Sequence, residues 1–311
     1  MSDKLPDQAV QAADKAIEQA KHAADRVKRE AHAHGGVGVG GNAAAAVKQA
    51  DRFVLRLNRL LATPGGLSAF LSTSNYILYV LAYLQPRASP LYTRLLAALK
   101  LSSSPVPLAA DPNTPTPVAA LAQLLSKCRT TLRLLGTLPL YAWLRSLMAG
   151  PKPGSDTVLH KIAVAQASSY FAYQLLENIC VLADHGVVPA SFVARLNRSE
   201  PTTTRLYTTA YRFWLVGVSC DFLRLAREAQ NIGAKRAARG VEEKGVQVRE
   251  EDEAIDRRWW MDAAIAAAWF PMALHFSNVT GGVPGWHAGW MGVCGLVAGG
   301  ERMRGLWGAT A

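Results

Sequence analysis

Residues Val47–Leu84 read VKQADRFVLRLNRLLATPGGLSAFLSTSNYILYVLAYL. At about 100° per residue, Val47, Ala50, Val54, Leu57 and Leu61 fall on one stripe, with Phe53 and Leu60 at its edge. Lys48, Arg52, Arg56 and Arg59 gather on the opposite flank, and Leu55 is the one large apolar side chain out of place. The first half is therefore predicted to be a basic amphipathic helix. From Leu60 to Pro86 no residue carries a formal charge. A cationic two-faced helix that runs into an uncharged apolar segment suits a water–lipid boundary, because its faces want different solvents. The same residues also fit a bundle helix with one solvated face, so the rest of the chain has to decide.

The 311 residues are half hydrophobic and 18% charged, fewer charges than the roughly 25% of soluble domains. The net charge of +11 calls for an anionic partner. Residues 1–34 hold six basic and six acidic side chains, and 230–258 hold seven of each. The cationic excess thus lies in the apolar segments, which favours an anionic phospholipid membrane over nucleic acid. Cys128, Cys180, Cys220 and Cys294 are far apart, form no CxxC pair, and read as small buried hydrophobes. No apolar signal segment opens the chain, and its last residues are not a peroxisomal SKL-type address.

Outward from the opening stretch, four regions are expected: 1–46, an Ala/Lys/Glu-rich tail and Gly linker; 47–229, an amphipathic helical domain; 230–258, a charged helical connector; and 259–311, a membrane hairpin with a basic tail. Thr63-Pro64-Gly65-Gly66 breaks or bends the first helix. Leu67–Leu84 is eighteen residues long, near the minimum for a bilayer span, with Ser72, Thr73, Ser74 and Asn75 interrupting it. Residues 100–118 are a Pro/Ser/Asn loop. Val118–Met148 is predicted helical with a kink at Pro139. Asp156 is an N-cap for a helix to about Ala183, which Gly186 ends. Tyr207–Glu228 is a further amphipathic helix. No period-two pattern persists, so the class is all-α.

Between Arg258 and Glu301 lie 42 residues with one formal charge, Asp262. At about 1.5 Å per residue this suffices for two crossings of a roughly 30 Å core, with the turn at 280–285. Arg257, Arg258, Arg302 and Arg304 would then share one side, and Trp259, Trp260, Trp286, Trp290 and Trp307 would lie at the interfaces. The expected fold is a helical membrane protein with amphipathic helices and a C-terminal transmembrane hairpin.

No HExxH, GxSxG or P-loop is present, and the seven histidines assemble no metal site. Gly36, Gly38 and Gly41 match GxGxxG, but no strand precedes them. Glu177 and Asn178 on an apolar helix are a polar site or, more simply, a satisfied buried pair. Asn197-Arg198-Ser199 and Asn278-Val279-Thr280 are formal glycosylation sequons. Asp262 is a candidate functional charge or a first-turn helix residue. No catalytic residue, metal ligand or cofactor is expected, and the chain is not expected to be an enzyme.

The blocks Asp51–Thr73, Tyr170–Val188 (YFAYQLLENICVLADHGVV), Tyr211–Glu228 (YRFWLVGVSCDFLRLARE), Asp262–Ser277 and Gly289–Trp307 (GWMGVCGLVAGGERMRGLW), in this order, resemble the peroxisomal biogenesis factor 11 family, nearest its filamentous-fungal C-type branch. The resemblance implies a peroxisomal membrane protein that promotes elongation and division of the organelle, self-associates and works with fission machinery. The family's membrane-active helix maps by this resemblance onto Val47–Leu61. The expected lipid-binding residues are Lys48, Arg52, Phe53, Val54, Arg56, Leu57, Arg59, Leu60 and Leu61. Residence in the endoplasmic reticulum membrane is the other location considered. The competing functions are a pore or carrier for small metabolites, with Ser72, Asn75, Gln174 and Glu177 along its path, and a lipid-modifying enzyme, for which no constellation is found.

Overall fold

The computed structural model describes residues 39–98, 116–238 and 246–311, and among them every regular element is helical. The helices are α1 (Val39–Leu61), α2 (Pro64–Ala98), α3 (Pro117–Arg133), α4 (Thr137–Met148), α5 (Thr157–Asp184), α6 (Ala190–Leu196), α7 (Thr204–Ala238), α8 (Val246–Ser277) and α9 (Ala288–Gly308). The expected tail at 1–34 and most of the loop at 100–118 lie outside the described residues. Residues 39–41 of the expected glycine linker are helical, as the start of α1.

The chain divides into two units. One holds the residues up to Arg59 together with Thr310 and Ala311; the other runs from Leu60 to Ala309. In the first, Arg56 Nε donates to Thr310 Oγ1 at 3.4 Å and Arg59 Nη1 to the Thr310 carbonyl at 3.3 Å.

Local chemistry sets most boundaries in the second unit. Pro64 occupies the first position of α2, where its missing N–H costs nothing. Thr116 caps α3, accepting from Ala119 N, and Asp156 caps α5, accepting from Val158 N at 2.8 Å and Leu159 N at 3.2 Å. Gly186, at φ 74°, follows α5 in the left-handed conformation that only glycine adopts without strain. The break between α3 and α4 comes as a 3-10 turn at Leu134–Gly136, ahead of Pro139. Pro139 has no N–H for the carbonyl four residues back, so the chain tightens upstream of it.

Helices α5 and α7 pack along their length. They approach closely at Gly217, where a Cβ would lie 2.5 Å from the Tyr170 ring. Gln166 Nε2 donates to the Gly217 carbonyl there, at 3.1 Å. Helices α2 and α9 form the other close pair: a Cβ on Gly292 would sit 2.7 Å from the Tyr76 carbonyl oxygen and 2.9 Å from Val80 N. Gly289 and Gly295 face the rings of Tyr83 and Tyr76 in the same way. Helix α8 returns along α7 and pairs with α9. Tyr76, Trp214 and Trp269 join α2, α7 and α8 through edge contacts with centroids 5.8–6.4 Å apart.

Among the described residues one stretch, Pro64–Gln85, is long and apolar enough to cross a bilayer, and 17% of its apolar window is buried. It belongs to α2, not to the C-terminal run where two crossings were expected. That run does fold as two packed helices. However, the uncharged part of α9 is Ala288–Gly300, about 20 Å long. The apolar half of α8 is rich in alanine and interrupted by Asp262. Of the expected charged helical connector at 230–258, residues 230–238 are the end of α7 and 246–258 the start of α8, tied by Arg236 to Asp256 at 2.8 Å; residues 239–245 lie outside the described residues.

Candidate membrane-contact site

Helix α1 separates apolar from basic side chains more sharply than the other long helices. Val47, Phe53 and Val54 are 69%, 54% and 59% exposed, and Leu55 is exposed beside them. Lys48 and Arg52 are exposed as well. Leu57 and Leu61 are half-buried. Leu60, placed at the edge of the stripe by spacing, is buried at 2% exposure. A turn follows it: Thr63 N and Oγ1 both donate to the Leu60 carbonyl, and Thr63 Oγ1 accepts from Gly66 N at 3.0 Å. Arg56 and Arg59 bond Thr310, a partner that helical spacing gives no sign of.

A second apolar surface escaped the sequence reading. Leu121, Leu124, Leu132 and Leu135 are exposed along α3 and its 3-10 turn, and Leu138, Tyr141 and Met148 along α4. Gaps of three, seven and eight residues keep them near one side of the chain, exposed although the Tyr141 ring meets Phe171 of α5 at its edge. No acidic residue occurs from Pro112 to Ser155. Lys127, Arg145 and Lys152 stand exposed in that segment. The signal was available as an acid-free run, hidden because Arg129 and Arg133 share it and face inward.

Those two arginines form half-buried polar clamps. Arg133 bonds Glu177 twice, Nη2 to Oε1 at 2.9 Å and Nε to Oε2 at 3.1 Å, and Tyr173 OH donates to Oε1 at 2.9 Å. Gln174 Nε2 donates to Asn178 Oδ1, and Asn178 Nδ2 to the Leu134 carbonyl and Thr137 Oγ1, each within 2.9 Å. The LLEN segment thus fastens α5 to the α3–α4 corner. Burial, and then the Glu177 carboxylate, pushes Tyr173 well above the usual tyrosine range and Tyr211 up to about 12. In α2, the Asn75 amide, oriented by its partners, donates to the Ala122 carbonyl at 2.7 Å and accepts from Arg129 at 3.0 Å. The Arg129 guanidinium lies 4.8 Å over the Tyr76 ring. Of the four polar residues assigned to a metabolite path, Asn75 and Glu177 are therefore buried and bonded to other helices, Gln174 is buried and bonded within α5, and Ser72 is half-buried.

Other expectations resolve into local roles. Asp262 is neither a free charge nor a first-turn residue; it lies within α8 and pairs with Arg224 at 3.3 Å. His287 caps α9 through Trp290 N and stacks on Tyr83, with centroids 4.0 Å apart. His275 accepts from Val283 N and stacks on Trp286. The Asn197 amide is buried and donates to the Glu200 and Thr202 carbonyls, so that sequon has no free acceptor nitrogen. Cys180 and Cys220 are buried as expected, whereas Cys128 is exposed. Burial raises the Cys180 thiol to about 12.

A family model described as peroxisomal biogenesis factor 11 (PEX11) matches residues 93–307. The match begins after α1 and after the apolar stretch of α2, and takes in everything from the end of α2 to α9. No curated protein and no solved structure matches the chain.

Proposed function

The chain belongs to the peroxisomal biogenesis factor 11 family, a family of biogenesis factors and not a known enzyme family, and on that premise we propose that it shapes the peroxisomal membrane during elongation and division. In this reading α1 lies in the cytosolic leaflet. The observation that carries it is the exposed apolar face of Val47, Phe53 and Val54 beside Lys48 and Arg52. Inserting one face of a helix expands one leaflet relative to the other and favours curvature. Each cation near an anionic surface contributes about 1 kcal/mol, and each fully buried large apolar side chain about 1.5–3 kcal/mol. Leu60, buried in the structure, is not part of that exposed face. The apolar segments of α2, α8 and α9 keep the chain at the membrane, α9 entering through its glycine face against α2. Self-association and fission partners follow from the family reading.

The stripe on α3 and α4 is a second lipid-contact surface. What favours it is its place inside the matched residues, which α1 does not share. Full-length protein on anionic liposomes separates the two. We expect Val54→Glu with Leu57→Glu to abolish tubulation while the protein stays membrane-bound, and a peptide of residues 45–64 to tubulate only with the native sequence. Should that variant tubulate normally and Leu124→Glu with Leu135→Glu fail, curvature belongs to α3–α4 and the role of α1 is refuted.

A further inference from the structure

We propose that the turn between α8 and α9 is an acid-released latch, with the His275 imidazole as its proton sensor. The Val283 N–H donates to His275 Nδ1 at 3.0 Å. A backbone N–H can only donate, so Nδ1 carries a lone pair and the ring is neutral, with its proton on Nε2. The ring is clasped in that state. Trp286 stacks on it with centroids 5.0 Å apart, and Phe276 meets it edge-on. Gly282, at φ 104°, lies so close that a Cβ there would overlap the ring. The rest of the turn is held by bonds between nearer neighbours: Asn278 Nδ2 to the Gly282 carbonyl at 3.0 Å, and Trp286 N to the Val283 carbonyl at 3.2 Å. The imidazole thus fastens the end of α8 to the far side of the turn.

A proton taken from solvent onto Nδ1 turns this acceptor into a donor. Two N–H groups then face each other, and the bond becomes a repulsion. No charged group stands by to hold that proton. The titratable side chains on the packed elements are Tyr211 of α7, against Phe276, and Tyr83 of α2, against His287. Asp184 of α5 accepts from Thr203 and Tyr207, and no carboxylate among the described residues bonds His275. The other histidines are bonded differently. His287 accepts from Trp290 N at 3.3 Å in an exposed position, where water can take its place. His185 Nδ1 meets the Val181 carbonyl, a bond that a protonated ring keeps. Burial also holds His275 below the usual histidine range. Its folded pKa lies below the unfolded value, so the latch is intact above about pH 6.5 and is lost as the pH falls below it.

Hydrogen–deuterium exchange of the full-length protein in nonionic detergent, corrected for the intrinsic pH dependence of amide exchange, reads the turn directly. From about pH 7.5 to about pH 5.5, peptides covering residues 278–286 should lose about tenfold in protection, the factor set by one proton bound to the open turn. Peptides of α5 should keep their protection. His275→Asn, whose Oδ1 can accept from Val283 N without titrating, should remove the response. His287→Asn keeps a capping acceptor at the start of α9 and should respond as the unsubstituted protein does. Histidine-selective nitrogen-15 NMR of the unsubstituted protein needs no variant, and should find the His275 proton on Nε2 at neutral pH. Unchanged protection across that range, an equal loss in α5, a response that survives in His275→Asn, or a neutral His275 ring protonated on Nδ1 would overturn the latch.

Discussion

Arg133 and Glu177 show how much one ion pair can fix. The Glu177 side chain is 4% exposed, whereas the Arg133 side chain is 39% exposed. Arg133→Ala leaves a buried carboxylate without its cation and is expected to cost about 3 kcal/mol. Glu177→Gln leaves an arginine that can turn to water, and should cost about 1 kcal/mol. Thermal unfolding of the two variants in detergent checks that order; equal losses would mean that the clamp is not what holds the α3–α4 corner. Asp156 makes a prediction in pH. The Asn231 amide, the Leu159 and Val158 N–H groups and Arg227 hold its carboxyl down at about 2. Its folded pKa lies below the unfolded value, so its stabilisation is present above pH 4 and is lost as the pH falls from about 4 to about 2. Asp156→Asn should flatten stability across that window. The raised Tyr173 and Tyr211 act at the other end: their contribution is intact below about pH 10 and falls away as the pH rises beyond it.

At the scale of elements, glycines do two different jobs in α9. Gly292 lets α2 and α9 approach until backbone meets backbone. Gly299 has open space where a Cβ would be. Gly292→Val should therefore drive the helices apart and lower the thermal midpoint. Gly299→Ala should stabilise α9 by about 0.5–1 kcal/mol through helix propensity alone. A disulfide introduced between the facing turns of the two helices would report the separation, forming in Gly299→Ala but not in Gly292→Val. Both substitutions look alike in the sequence GWMGVCGLVAGG, where five glycines stand within twelve residues. What differs is the helix opposite. The lengths of α7 and α8 make a similar point. Their charged ends read as a connector because composition changes there, and what the sequence does not give is that Arg236 ties the end of α7 to Asp252 and Asp256 of α8.

For the whole molecule, the family match and the packing unit have different limits. The matched residues begin at 93, but the glycine face of α9 packs on Tyr76, Val80 and Tyr83 of α2. A chain cut to residues 93–311 lacks that surface and should be digested rapidly in limited proteolysis, whereas 60–311 should resist. Equal resistance would show that α2 is dispensable to the fold. The helical class, the capping of α5 by Asp156, the stop at Gly186 and the two-faced character of Val47–Leu61 were all legible, because each depends on neighbours within a turn or two of helix. So was membership in the family, through the order of its segments. The inward turn of Arg129 and Arg133 and the pairing of Asp262 with Arg224 were not. Each of those depends on what another helix brings to the same place, and residues far apart in the chain meet only once the helices have packed.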